Sequence, residues 1–195
     1  MEFPHPYLAQ IRGVFAWNEC LYLIISYIEG EGLTNRLERW ACFSEDVLSF
    51  LFAQILEGVA GIKRKVNQKW RKPITEKNIR MDNLGNIKIS CFGKEEEVGS
   101  EREDKDFKSL GKILLEMLKH INGESKIGLS LATMIINGKV GIKDVKKHEF
   151  FKKIDWKKIR KKKIPSPLGL EGKFLEEAKS FWNICENQRG LSTLK

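Results

Sequence analysis

Apolar residues recur every three or four positions in two long stretches of the chain. Leu48, Leu51, Phe52, Ile55, Val59 and Ile62 form the first stripe. Its spacing predicts a helix running to about Ile62 with one face in the core. Ser44 is placed to cap the start, and Glu45 and Asp46 suit the positive end of the helix dipole. Leu110, Ile113, Leu114, Met117 and Leu118 form the second stripe, which predicts a helix beginning at Asp106 and ended by Asn122-Gly123. A shorter helix is expected over Leu33 to Trp40. A terminal amphipathic helix is expected over Lys173 to Arg189, with Phe174, Ala178, Phe181 and Trp182 on one side. Such stripes are read as packing faces, not as a ligand box.

Strand patterns are fewer. Leu21 to Ile28 is apolar, β-branched and aromatic, which predicts a buried strand broken by Glu29-Gly30-Glu31-Gly32. Asn78 to Gly93 reads as strand, tight turn, strand. Ile87 and Ile89 alternate with Lys88 and Ser90, and Asp82-Asn83-Leu84-Gly85-Asn86 is turn chemistry. Lys63 to Thr75 is basic and irregular. Lys94 to Lys105 is charged and short, read as a solvated loop in which Ser100 is an ordinary loop serine.

Composition narrows the class. The 195 residues are 42% hydrophobic, enough for one packed domain. Cys20, Cys42, Cys91 and Cys185 lie far apart with no CxxC pair. A zinc site is therefore not expected, and the cysteines read as reduced thiols in a cytoplasmic or nuclear setting. No apolar run reaches the ~20 residues a bilayer span needs, so the chain is expected not to be transmembrane, and no signal peptide is read at its start. The net charge of +9 is concentrated. Lys139 to Lys163 holds twelve Lys and Arg against three Asp and Glu, with Lys157, Lys158, Arg160, Lys161, Lys162 and Lys163 as its densest part.

Several blocks, in order, resemble the protein kinase superfamily. HPYLAQIRGVFAWNECLYLIISYIEGEGLTNRLER (from His5) resembles the fourth and fifth kinase strands, the hinge and the helix beyond. The resemblance puts Ile25 at the back of the nucleotide pocket, and Ser26 and Ile28 in the adenine-contacting hinge. The helix around Leu51 resembles the long central helix of the large lobe. NIRMDNLGNIKISCFG, Asn78 to Gly93, resembles the run from the catalytic loop to Asp-Phe-Gly. Asn78 falls on the catalytic-loop Asn, and Cys91-Phe92-Gly93 falls on Asp-Phe-Gly. DFKSLGKILLEML resembles the buried anchoring helix of that lobe. Asp106 falls on an Asp that ties down the catalytic loop, and Lys108 replaces the usual aromatic. His148-Glu149-Phe150-Phe151-Lys152-Lys153-Ile154-Asp155-Trp156 and its Lys-rich, Pro-containing sequel resemble the end of the cyclic-nucleotide-dependent, AGC-type branch.

The resemblance implies an α+β fold, mainly α: a kinase-like C-lobe with a remnant of the N-lobe strands and hinge. Residues 1–32 would be the remnant, 33–168 the C-lobe and 169–195 a tail. It also exposes departures. Counting back from Asn78 puts Arg71-Lys72-Pro73 on His-Arg-Asp, so Pro73 stands for the catalytic base, and Thr75 falls on the phosphate-steering Lys. The chain contains no Gly-rich phosphate loop, no strand Lys of the Val-Ala-Ile-Lys type and no Ala-Pro-Glu. One C-lobe helix, between ATMIINGKV and GIKDV, has no counterpart. Pro73, Asn78, Cys91 and Asp106 are then vestiges, not catalytic residues.

Phosphoryl transfer depends on positioning and on Mg²⁺ neutralising charge. Mg²⁺ wants oxygen, and Cys91 offers sulfur. The expectation is a catalytically impaired kinase-like protein that acts as a binding or regulatory module. No metal and no cofactor are expected, with weak ATP binding left open. A protein partner or self-association is expected where missing elements leave apolar surface. Three other readings remain open: the basic segment binds nucleic acid or acidic surfaces, the chain is a serine/threonine kinase completed by small-lobe elements supplied elsewhere, or Cys91 has a redox role.

Overall fold

The computed structural model describes residues 5–39, 43–65, 74–82, 84–92, 100–138 and 140–167, and at 63–65 and 100–106 the backbone. Helix α2, Glu45–Lys65, is its axis. Ser44 Oγ accepts the Val47 N–H at 3.3 Å, as a cap should. From Val47 to Val59 every residue is buried. The sequence predicts one apolar face, yet the helix is covered all round. Ser49, Gln54 and Glu57 are buried with it, and each finds a polar partner.

A three-stranded antiparallel sheet lies on this helix: β3 (Glu31–Gly32), β4 (Ile79–Met81) and β5 (Ile87–Ile89), in that order. Ile79 pairs with Ile89 and Met81 with Ile87. All four side chains are fully buried, while Arg80 is exposed and Lys88 half-buried. That alternation is the period-two pattern read from Ile87 to Ser90. The N-terminal segment joins this sheet. Ile89 N–H donates to the Tyr7 carbonyl and Ala9 N–H donates to the Ile89 carbonyl, both at 2.9 Å. Gly30 adopts φ +96°, and a Cβ there would meet the Met81 carbonyl oxygen at 2.1 Å. Only glycine fits the bend leading into β3. Helix α1, Leu33–Arg39, follows.

Helices α3 (Ser100–Leu118) and α4 (Lys126–Ile136) cross closely. Leu110, Ile113, Leu114, Met117 and Leu118 are buried, as their spacing predicts. They join α2 and the sheet in one core that also holds Phe150, Phe151 and Ile159. Ser125 caps α4, accepting the Gly128 N–H at 2.8 Å, and its hydroxyl also donates to the Glu45 carboxylate. Short helices α5 (Ile142–Val145) and α6 (Trp156–Arg160) close the fold.

Two expectations need correction. Ser100 does not stand in a solvated loop. It begins α3, which starts six residues before Asp106. An acid-rich first turn complements the helix dipole, so charge there does not oppose helix formation. The same helix stops at Leu118, short of Asn122-Gly123. There Lys119, His120 and Ile121 N–H groups bond three residues back, and Phe43 pairs with His120 and Asn122. Tertiary pairing ends the helix before glycine can.

The second correction concerns Leu21 to Ile28. A strand forms at Cys20–Ile25, β2, but it is not buried. It pairs with β1, Ile11–Trp17, in a two-stranded antiparallel ribbon apart from the main sheet. Asn18 and Glu19, both at positive φ, make a two-residue turn of the kind that matches strand twist. Phe15 stacks on Tyr22 across the pair at 4.9 Å, and Trp17 lies 6.3 Å from Tyr22. Trp17 is 67% exposed and Val14 55%. Apolarity alone predicts burial, but among the described residues nothing covers either face of the ribbon.

Candidate functional site

Two of the residues that the resemblance singles out, Asn78 and Cys91, lie at one end of the β4–β5 ladder. The short 3₁₀ turn Glu76–Asn78 leads into β4. Asn78 N–H donates to the Thr75 carbonyl at 3.0 Å, and the Thr75 hydroxyl donates to Asn78 Oδ1 at 3.4 Å. Across the ladder, Ser90 N–H donates to the Asn78 carbonyl at 2.8 Å. Asn78 is thereby set beside the residue preceding Cys91. Cys91 itself is 1% exposed and part of the core. The ladder thus sets Asn78 opposite Ser90, one residue before Cys91, with the intervening turn closing the sequence gap.

That turn is strongly held. Asp82 Oδ1 accepts the Leu84 and Asn86 N–H groups at 2.9 and 2.8 Å, and Asn86 Nδ2 donates to Asp82 Oδ2 at 2.8 Å. From below, Gln54 of α2 reaches it with both ends of its amide. Gln54 Nε2 donates to the Gly85 carbonyl at 2.9 Å, and Ile87 N–H donates to Gln54 Oε1 at 3.2 Å. A buried amide spanning helix and turn fixes their register.

Other expected positions are scattered or undescribed. Pro73, with Arg71 and Lys72, lies outside the described residues. Asp106 stands within α3, and its side chain is likewise outside the description. Of the hinge positions, Ile25 ends β2 and is exposed, and Ile28 is half-buried. Ser26 exchanges hydrogen bonds with Gln10: its N–H donates to the Gln10 carbonyl at 2.8 Å and its hydroxyl accepts the Gln10 N–H at 3.1 Å. The expected terminal helix from Lys173 to Arg189 lies beyond the described residues. Lys157, Lys158, Arg160, Lys161, Lys162 and Lys163 are all exposed around and after α6. Among the described residues no group of three or more His, Cys, Asp or Glu side chains is placed to hold a metal. No helix among them is long and apolar enough to cross a membrane.

Sequence reading missed a buried ionic cluster. Glu57, fully buried on α2, meets the Lys146 ammonium and the Arg160 guanidinium, the latter at 3.4 Å. Burial alone would push the Glu57 carboxyl up. Hydrogen bonds and charge from Lys146 and then Arg160 outweigh it and hold the carboxyl below its usual range. Lys146 also sits 4.7 Å over the Trp156 ring, whose Nε1–H donates to the Lys146 carbonyl at 3.2 Å. Tyr7 hydroxyl donates to the Ile159 carbonyl at 2.6 Å. Its pKa is pushed up to about 12 by burial and by the Glu57 charge. The cluster joins the N-terminal segment, α2 and the C-terminal helices. Its members lie about ninety to a hundred residues apart in sequence, so no local pattern points to it.

Comparison with known proteins supports the kinase-like reading. No protein-family model matches the chain. It is 25% identical over 222 residues to ribosomal protein S6 kinase alpha-6 of Mus musculus, covering 86% of this chain and 29% of that protein. It is 26% identical over 216 residues to protein kinase 2 of Dictyostelium discoideum, covering 82% of this chain and 44% of that protein. A putative ribosomal protein S6 kinase alpha-1 of Caenorhabditis elegans is 24% identical, over 84% of this chain and 28% of its own length. The chain thus spans less than half the length of these relatives. Its homologues are protein kinases of the AGC type, and the mixed, mainly helical fold agrees with part of a kinase domain. The first alignment, at 222 positions, is longer than the 195-residue chain, so the relative carries insertions that this chain lacks.

Proposed function

We propose that this chain is a catalytically impaired protein-kinase-like protein that works by binding and not by phosphoryl transfer. One observation carries the reading: where the resemblance places the metal-binding carboxylate, the chain has a thiol that is 1% exposed. Mg²⁺ is a hard cation that takes oxygen ligands and keeps water. A buried sulfur offers neither, and the neighbouring Asn78 carbonyl oxygens, backbone and side chain, are already accepting from Ser90 and Thr75. The donor set does not fit a Mg²⁺-nucleotide, and no phosphoryl-transfer step is derived through one. The sequence supports the same reading. No Asp or Glu occurs from Ala60 to Thr75 to act as base, and six residues separate Gly93 from α3, where kinases carry a long activation segment.

What the chain offers a partner is the β1–β2 ribbon. Phe15, Trp17, Tyr22 and Ile24 stand on one exposed face. The ribbon belongs to no larger sheet among the described residues. Open strand edges and an aromatic face are self-complementary across a two-fold axis, so the favoured partner is a second copy of the chain.

Two measurements test the proposal. The melting temperature of the full chain is expected to be unchanged by ATP with Mg²⁺; a clear Mg²⁺-dependent rise would overturn the non-catalytic reading. The chain is expected to sediment as a dimer that Phe15→Lys with Trp17→Lys converts to monomer. A wild-type monomer at high concentration would overturn the ribbon as a self-association surface. A kinase completed by small-lobe elements from elsewhere is the competing reading, and phosphotransfer on adding an upstream kinase segment would favour it.

A further inference from the structure

The turn after β4 and the chain after α6 flank an open cleft of about 340 Å³ that the proposed function does not use. Leu84 and Asn86 form one wall, and residues 162–166 the other. Two cations, Lys162 and Lys163, open onto it. A third, Lys88, stands half-buried behind the turn, its ammonium 3.5 Å from the Leu8 carbonyl. Burial lowers the Lys88 pKa first, the charge of Lys162 lowers it further, and Asp82 opposes both. Asp82 is the acid that acts on Lys88, and its carboxylate already accepts three N–H groups of its own turn. Among the described residues that line the cleft, the charged ones are both cations.

The backbone adds a second observation. Helix α6 ends with Lys162 N–H donating to the Ile159 carbonyl at 2.8 Å and Lys163 N–H donating to the Lys158 carbonyl at 2.9 Å. This is the Schellman pattern, whose turning residue lies in the left-handed region and is usually glycine. Here it is Lys162, at φ +53°. A lysine holds a conformation that glycine would adopt without strain, and strain of this kind concentrates at ligand sites. The side chain it retains is one of the two that line the cleft with charge.

We propose that this cleft binds a small oxyanion of the phosphate class, held by the Lys162 and Lys163 ammonium groups with the Lys88 charge behind them. The cleft volume falls within the usual range for small-ligand pockets, and paired lysines supply the point charges that phosphate takes. The site lies at the opposite end of the short β4–β5 ladder from Asn78 and Ser90.

Pyrophosphate titrated calorimetrically into the full chain at low salt is the probe. Lys162→Gly with Lys163→Ser removes the cleft charges while giving the turn the residue it favours, and an unchanged or higher melting temperature will show that this variant folds. Lys157→Ser with Lys158→Ser removes two charges outside the cleft. The expected result is at least a tenfold loss of affinity in the first pair and less than twofold in the second. Equal losses in both pairs, or no binding by the wild type, would overturn the site and leave only diffuse attraction. Sedimentation with phosphatidic acid vesicles, with and without competing pyrophosphate, then assigns the source. Competition places a lipid headgroup in the cleft, whereas no sedimentation with vesicles assigns it to a soluble phosphate.

Discussion

Gln54 and Glu57 are a single helical turn apart on α2, buried to 1% and 0% exposure, and they do different work. Gln54 satisfies two backbone groups of the turn opposite. Gln54→Leu keeps the volume but orphans the Gly85 carbonyl and the Ile87 N–H. The expected loss is about 2 kcal/mol, from the usual cost of an unpaired buried polar group, readable by urea unfolding. Glu57 works through charge. Its folded pKa lies below the unfolded value, so its contribution is complete above the usual carboxylate range. The contribution disappears as pH falls through the depressed folded value. Glu57→Gln is expected to cost about 3 kcal/mol at neutral pH, the low end for breaking a buried ion pair, because the Arg160 side chain is 56% exposed. The same variant is expected to flatten the acid limb of the stability–pH curve, measured by chemical denaturation between pH 3 and 7. Neither residue announced itself in the sequence. A Gln and a Glu on a helix read as solvent-facing until their partners, some thirty and ninety residues away, are placed.

At the scale of elements, periodicity was informative where packing obeyed it. The stripes from Leu48 and from Leu110 became core helices, and Ile87–Ser90 became the alternating strand it resembled. It failed at the ribbon, because a run of apolar residues states what a strand would bury and not whether anything is there to bury it. It also failed at the start of α3, where helix dipole and charge favour a helix that hydrophobic spacing alone does not show. The α3–α4 crossing rests on a feature visible only in three dimensions. A Cβ on Gly111 would lie 2.5 Å from Ile136 Cγ1 and 3.1 Å from the Ala132 carbonyl oxygen. Gly111→Ala should gain helix propensity of up to about 1 kcal/mol. The crossing is expected to override that, giving a net loss of about 1–2 kcal/mol from overpacking. A melting temperature above wild type would show that the helices slide apart without cost.

At the scale of the whole molecule, the order of blocks carried more than any one motif. The resemblance runs from His5 to Leu168, and the similarity to AGC-type kinases over most of the chain supports it at the level of the superfamily. Of the candidate site, the closeness of Asn78 to the strand end at Ser90 was legible because a short turn joins the two strands. The cleft beside Lys162 was not, since its walls come from segments about eighty residues apart and its turning lysine looks like one member of a basic run. Excess positive charge is a property of the chain, but its concentration against one turn is a property of the fold.

The two-residue turn at Asn18 and Glu19 has a consequence in time. A loop that short closes within microseconds and needs no distant contact, whereas the core waits for Ile159 to reach Tyr7. During synthesis the ribbon can therefore form and reform before the residues that will build the rest are added. Under the proposed self-association, neighbouring nascent chains on one messenger would then be able to pair through their ribbons before either protein is complete.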